Sequence, residues 1–230
     1  MEPSVRAPGE MARPPAGRKV PAHSAESVVS TGGGNTRRVI YDVMVDLIAE
    51  RGYHGTSLRV VAERVGIQMA SLYYHFPSKQ AVLVEIMMTT LDDLTRQTTA
   101  AAQGAGSDPV ERLRAAIRSH VIFHAERRRE AFITDSELRS LDGPNLTRVT
   151  AARDWYESVF ADILRAGVAS NRLVVPDLRL ALNALLAMCT EVAVWYRSGG
   201  RLSLADIANV YCSLFLQGVL RTGDAQGPNS

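Results

Sequence analysis

The chain has 230 residues, enough for one domain or two closely packed ones, and 46% of them are hydrophobic, enough to bury a sizeable core. Its formal net charge is only +2, so bulk charge does not point to nucleic acid and any footprint for a polyanion must be local. The two cysteines, Cys189 and Cys212, both fall in apolar helical patterns, which argues for buried thiols in a reducing cytoplasm and against a disulfide framework.

Residues 1–34 hold Pro3, Pro8, Pro14, Pro15 and Pro21 and end in Gly32-Gly33-Gly34. Nothing there buries enough apolar surface to offset the entropy of ordering, so a disordered tail is expected, with Arg6, Arg13, Arg18 and Lys19 solvated. From Asn35 onward nearly every segment reads as helix. Val39, Ile40, Val43, Met44, Leu47 and Ile48 follow the i, i+3, i+4 rhythm up to Gly52. Thr56 or Ser57 caps a second helix that ends at Gly66. A third, short helix runs from about Gln68 to Tyr74 and is broken by Pro77, and Ser78 caps a long fourth. After a linker at 104–108, helices are predicted over about 109–124, 126–141, 144–168 and 176–195, with a last one after the turn "SGGRLS". A flexible tail is expected at 224–230. The fold class is therefore all-α, with about nine helices: a three-helix domain over 35–80 and a helical domain over 81–223.

The most apolar stretch, Leu180 to Tyr196, contains Asn183 and Glu191 and is short for a membrane span. A helix buried on most of its sides is expected instead, and no membrane partner. His120 and His124 stand four apart, a spacing that can bind metal, but no acidic or cysteine partner completes a motif, so no metal is assigned. The run Arg127-Arg128-Arg129 reads as a solvated helix face, with a grip on an anionic ligand as the lesser reading. There is no phosphate loop, nucleophile elbow or paired acid–base motif, so neither an enzyme nor a cofactor is expected.

The stretch "TSLRVVAERVGIQMASLYYHFPSK" puts two short amphipathic helices on either side of a glycine, which tolerates the left-handed backbone of a helix-turn-helix. Val61, Val65 and Leu72 supply the contact between them, Ala62 is small where they cross, and Phe76 turns inward. That leaves Gln68, Met69, Ser71, Tyr73, Tyr74 and His75 outward on a helix whose first turns would enter a major groove. Lys79 opens the next helix, where the dipole does not favour a cation and a phosphate would.

The longer string "GYHGTSLRVVAERVGIQMASLYYHFPSKQAVLVEIM" resembles the DNA-binding domain of TetR/AcrR-type transcriptional regulators, with the likeness spanning about Arg38 to Met88. The resemblance implies contacts to a double-stranded DNA operator from Ser57 and Arg59, and from Gln68, Met69, Ser71, Tyr73, Tyr74, His75 and Lys79. It also implies a homodimer and a C-terminal cavity for a hydrophobic small-molecule effector. Phe123, Phe132, Trp155, Tyr156, Phe160 and Met188 are the aromatic and apolar candidates for that cavity. "WYRSGGRLS" is similar to members that sense acyl-CoA esters. The helix over 176–195 is apolar on nearly all sides, and the last helix carries a separate stripe. Leu185, Val192, Val210, Leu214 and Phe215 are accordingly expected at the dimer interface. The resulting expectation is a cytoplasmic repressor released from a palindromic operator by its effector; the alternatives are a helical protein-interaction adaptor or an enzyme using the cavity.

Overall fold

A computed structural model describes residues 33–220; of the tails expected over 1–34 and 224–230, residues 1–32 and 224–230 lie outside the described residues, and Gly33 and Gly34 belong to the first helix. Within them the chain forms ten α-helices and one 3-10 turn, with no strand beyond an isolated bridge between Leu173 and Leu220. The helices are α1 (Gly33–Arg51), α2 (Leu58–Val65), α3 (Met69–His75), α4 (Lys79–Gly104), α5 (Pro109–Glu126), α6 (Arg128–Ser136), α7 (Gly143–Ala169), α8 (Leu178–Thr190), α9 (Val192–Trp195) and α10 (Leu204–Val219). The all-α expectation stands, with three adjustments. The first helix begins at Gly33, ahead of the expected Asn35 cap. The helix expected over 126–141 breaks into α6 and a 3-10 turn at Leu138–Ser140. The one expected over 176–195 breaks at Glu191 into α8 and α9.

Short polar side chains start most of these helices. Ser57, Ser78, Asp108, Asp142, Asp177 and Ser203 each accept a backbone N–H in the first turn, and Ser203 with Asp206 completes a reciprocal capping box. Each such cap contributes about 1 kcal/mol.

The apolar side chains collect into two cores. One gathers Ile40, Met44, Leu47 and Ile48 of α1, Val61 and Ala62 of α2, Leu72 of α3 and Phe76, and the first half of α4 from Val82 to Leu91. The other gathers Leu94 and Ala102 of α4 with α5, α7, α8 and α10. Helix α4 thus belongs to both, and the cores part between Leu91 and Leu94 rather than at residue 80. Three residues of the C-terminal half, Ile133, Leu141 and Val149, are buried in the N-terminal core.

Helix α8 is not buried on most sides. Over Leu178–Trp195 the mean hydropathy is 1.4, yet only 22% of the segment is buried in this chain. Leu182, Leu185, Cys189 and Val192 face inward, while Leu180 is 68% exposed. Leu185 and Val192 are fully buried in the protomer's own core, so they present no surface to a partner. This corrects the expectation that they form the dimer interface: their side of the helix is the one that α5, α7 and α10 already cover. Val210 and Leu214 are 46% and 57% exposed and Phe215 is half-buried.

Candidate nucleic-acid interface and effector pocket

The helix-turn-helix is built by local rules. Ser57 Oγ accepts from Val60 N at 3.3 Å and starts α2. Gly66 ends it at φ +77, where its N–H reaches the Ala62 carbonyl at 2.9 Å, and Ile67 N reaches the same oxygen at 3.0 Å. A side chain at Gly66 would be strained in this left-handed backbone. Gly55 is constrained differently: a Cβ there would sit 2.5 Å from the Arg51 carbonyl oxygen. Helix α3 has only seven residues and is pinned by Leu72 and Phe76, 0% and 1% exposed. Between these pins Tyr73 and Tyr74 stand out at 50% and 85% exposure.

Gln68 is exposed and leads into α3 without a side-chain capping bond. Ser57 and Arg59 are exposed on the N-terminal side of α2; Ser71 and His75 are half-buried. Met69 leans partly onto the core, which leaves Gln68 as the free polar side chain at the start of α3. Lys79 is also half-buried, with its Nζ over the Tyr53 ring at 4.0 Å, and burial lowers its pKa. Its place at the start of α4 therefore has an intramolecular reason as well.

The residue that sequence reasoning missed is Arg37. Its guanidinium donates to the His75 carbonyl at the end of α3, pairs with Glu85 of α4 and lies over the Phe76 ring at 4.1 Å. One α1 side chain thus fixes the far end of the recognition helix. A basic residue early in an amphipathic helix reads as solvated surface, so no local pattern announces it.

The second site is a small cavity, partly open to solvent. Thr90, Leu91 and Leu94 come from α4, His120 and His124 from α5, Ala131, Thr134 and Asp135 from α6, Arg153, Tyr156 and Glu157 from α7, and Leu186 and Thr190 from α8. Of the six residues expected to line it, only Tyr156 does. Phe123 and Phe160 are packed into the core, 2% and 1% exposed. Phe132 and Met188 are half-buried off the cavity wall. Trp155 is 69% exposed, because on α7 it lies about 100° around from Tyr156 and faces away. Aromatic content marked the right domain but not the wall.

The wall is more polar than expected. His120 is bonded through Nδ1 to the Tyr156 hydroxyl and through Nε2 to Thr190 Oγ1 at 3.2 Å, and His124 Nδ1 reaches the His120 carbonyl at 3.0 Å. The two imidazoles stack at 4.0 Å. Burial lowers both pKa values, reinforced at His120 by His124 and opposed at His124 by Asp135 and the His120 carbonyl. Asp135 pairs with Arg153 at 3.2 Å and its side chain stays 35% exposed; desolvation on its cavity side raises its carboxyl, against the pull of Arg153. No group of three or more potential metal-ligating side chains occurs among the described residues. The arginine run is dispersed: Arg127 pairs with Asp93 and Glu130, Arg128 donates to the carbonyls of Ala193 and Val194, and Arg129 pairs with Asp46. Cys189 stays a thiol, pushed up to about 12 by burial.

An exposed, rigidly pinned recognition helix on one end and a partly polar chamber inside the other define a helix-turn-helix regulator with a ligand site. Residues 40–86 match the bacterial regulatory proteins of the tetR family, and residues 106–219 match the tetracyclin repressor-like C-terminal domain. The HTH-type transcriptional repressor KstR2 of Rhodococcus jostii is 28% identical over 195 residues, covering 83% of this chain and 94% of that one. The crystal structure of the TetR family transcriptional regulator PfmR from Thermus thermophilus is 31% identical with a TM-score of 0.69, covering 79% of this chain and 99% of that one. AibR, solved in complex with isovaleryl coenzyme A and operator DNA, is 26% identical with a TM-score of 0.71, covering 78% and 97%. The chain belongs to the tetR family of bacterial regulatory proteins, and it is a ligand-responsive, DNA-binding transcriptional regulator.

Proposed function

We propose that the protein is a homodimeric cytoplasmic repressor that holds a palindromic operator and lets it go when an acyl-CoA thioester fills the cavity. The observation that carries this reading is the position of α6. Ala131, Thr134 and Asp135 line the cavity, while Ile133 on the same helix is buried in the DNA-binding core. At its two ends the segment is tied to that domain, by the Arg129–Asp46 ion pair and by Glu137 Oε1 accepting from Tyr53 N at 3.0 Å. Gln80 adds a bond from its Nε2 to the Ser140 carbonyl at 2.5 Å. A ligand that displaces α6 must therefore strain either those ties or the pose of α1 to α3. Differential affinity for the two poses is the thermodynamic requirement for release.

Two points support a thioester of CoA. AibR, which shares the fold, was solved with such a molecule. An adjoining groove between α7 and α8 shares Glu157 with the cavity and carries Arg165 and Arg179, whose guanidinium groups suit phosphate. Fluorescence anisotropy with the operator, found by selection from random duplexes, tests the reading. Acyl-CoAs should lower operator affinity and raise the melting temperature, whereas free CoA should do neither. Turnover of the thioester would favour the enzyme alternative, and salt-insensitive failure to bind any duplex would favour the adaptor.

A further inference from the structure

Which polar atoms of the cavity are already committed decides what a ligand must bring. Thr90 and Thr134 donate their hydroxyl protons to the carbonyls of Ile86 at 2.7 Å and Glu130 at 2.8 Å, so each offers the cavity lone pairs only. His124 Nδ1 faces a carbonyl oxygen, which can only accept, so the ring proton sits on that nitrogen. Its Nε2 is then an acceptor with no protein partner, on a side chain 5% exposed that lines the cavity. The carboxylate of Asp135 adds acceptor character, while Arg153 spends its Nη1 donors on Asp135 and the Thr134 carbonyl.

Arg153, 31% exposed at the wall, keeps its Nε and Nη2 donors; among the buried groups free donors are scarce. The relay Tyr156–His120–Thr190 holds three protons, one on each hydroxyl and one on the neutral imidazole, and its two hydrogen bonds use two of them. One hydroxyl proton remains, on Tyr156, where the buried Thr98 hydroxyl is also within reach, or on Thr190, according to the tautomer of His120. Burial disfavours a charge on either of the two stacked rings, so His124 stays neutral and its Nε2 an acceptor.

We propose that the cavity selects an effector whose apolar acyl body carries a hydroxyl group, donated to His124 Nε2, over the same body without it. The single free donor of the relay is left for a carbonyl or for the hydroxyl's own lone pair. Water can serve His124 in the empty cavity, so the preference is roughly tenfold rather than many thousandfold. The inference rests on reading the cavity as an acyl-thioester site.

Isothermal titration of the full chain with matched pairs tests it: saturated acyl-CoAs of four to ten carbons against the same chains hydroxylated at carbon 3 or at the chain end. In the wild type at least one hydroxylated member should bind roughly tenfold tighter than its saturated counterpart. His124→Phe should bring that ratio close to one, and His124→Gln, which keeps an acceptor, should retain part of it. The wild-type comparison requires no variant to fold. Equal or tighter binding of every saturated member overturns the inference and leaves the thioester reading intact. A hydroxyl preference that survives in a folded His124→Phe protein overturns the assignment to His124. If no thioester binds while operator binding is normal, the thioester reading fails and this inference with it.

Discussion

The two tyrosines of α3 and the two histidines of α5 show how differently placed side chains of similar polarity serve the protein. Tyr73 is half exposed and makes no hydrogen bond within the described residues, so Tyr73→Ala should leave the melting temperature nearly unchanged, within about 0.5 kcal/mol of stability. Operator affinity, measured by anisotropy, should fall about tenfold across sequences if the hydroxyl meets a phosphate. Phe76→Ala, three residues away, should instead cost about 3–5 kcal/mol and melt the DNA-binding domain, because that ring is 1% exposed. His120 and His124 are kept neutral by burial, with folded pKa values below the ordinary 6.5. The unfolded chain therefore binds more protons once the pH drops to about 6.5, and their stabilising contribution, complete above that pH, is lost as the pH falls toward their lower folded values. Melting curves between pH 7.5 and 5 should show a declining temperature that is flatter in His124→Gln. Asp135, whose carboxyl is raised, acts with the opposite sign at more acid pH, and it should blunt the decline there.

At the scale of the element, α6 is the helix with two jobs. It is only nine residues long, stands between the cavity and α1, and ends in a 3-10 turn whose Ser140 carbonyl is held by Gln80. The bond from Tyr53 N to Glu137 is one of the few polar ties crossing between the two halves. Removing it with Glu137→Ala should leave effector binding by calorimetry unchanged. Release of operator should need several-fold more effector, because part of the displacement of α6 is no longer passed on. A variant that releases DNA at the wild-type effector concentration would assign the coupling to the remaining ties, the buried Ile133 contact, the Arg129–Asp46 pair and the Gln80–Ser140 bond.

For the whole molecule, the exposed apolar positions of the last helices matter most. Leu180 of α8, Trp195 at the end of α9, and Val210 and Leu214 of α10 are exposed by 68%, 45%, 46% and 57%. A second copy of the chain would cover such a surface and place two recognition helices about one DNA turn, roughly 34 Å, apart. Leu214→Asp should then give monomers by light scattering. Those monomers should lose operator affinity although α3 is untouched, since each half-site must be bound singly. A Leu214→Asp protein that remains a dimer would move the interface elsewhere.

The DNA-binding half was legible in the sequence because its information is local. Gly66 in its turn, Ser57 and Ser78 at their caps, and Leu72 and Phe76 at core spacing each constrain the backbone within a few residues, and the structure places them as that spacing requires. The helical character of the rest was equally legible from its periodicity. The cavity was not, because a wall is made by five helices that the chain brings together from residues far apart. Phe123 and Phe160 carry the same hydrophobic signal whether they fill a core or face a ligand, and only the packing of α5 against α7 decided for the core. The same holds for Leu185 and Val192, which periodicity alone cannot divide between a protomer's own interior and a partner's surface. His120 and His124 had the spacing of a metal pair, and it was Tyr156, thirty-odd residues on, together with Thr190, still further along, that turned His120 into part of a hydrogen-bonded wall. Sequence set where the helices begin, end and turn; tertiary packing alone settled which of their faces meet each other, which meet a ligand and which are left for another chain.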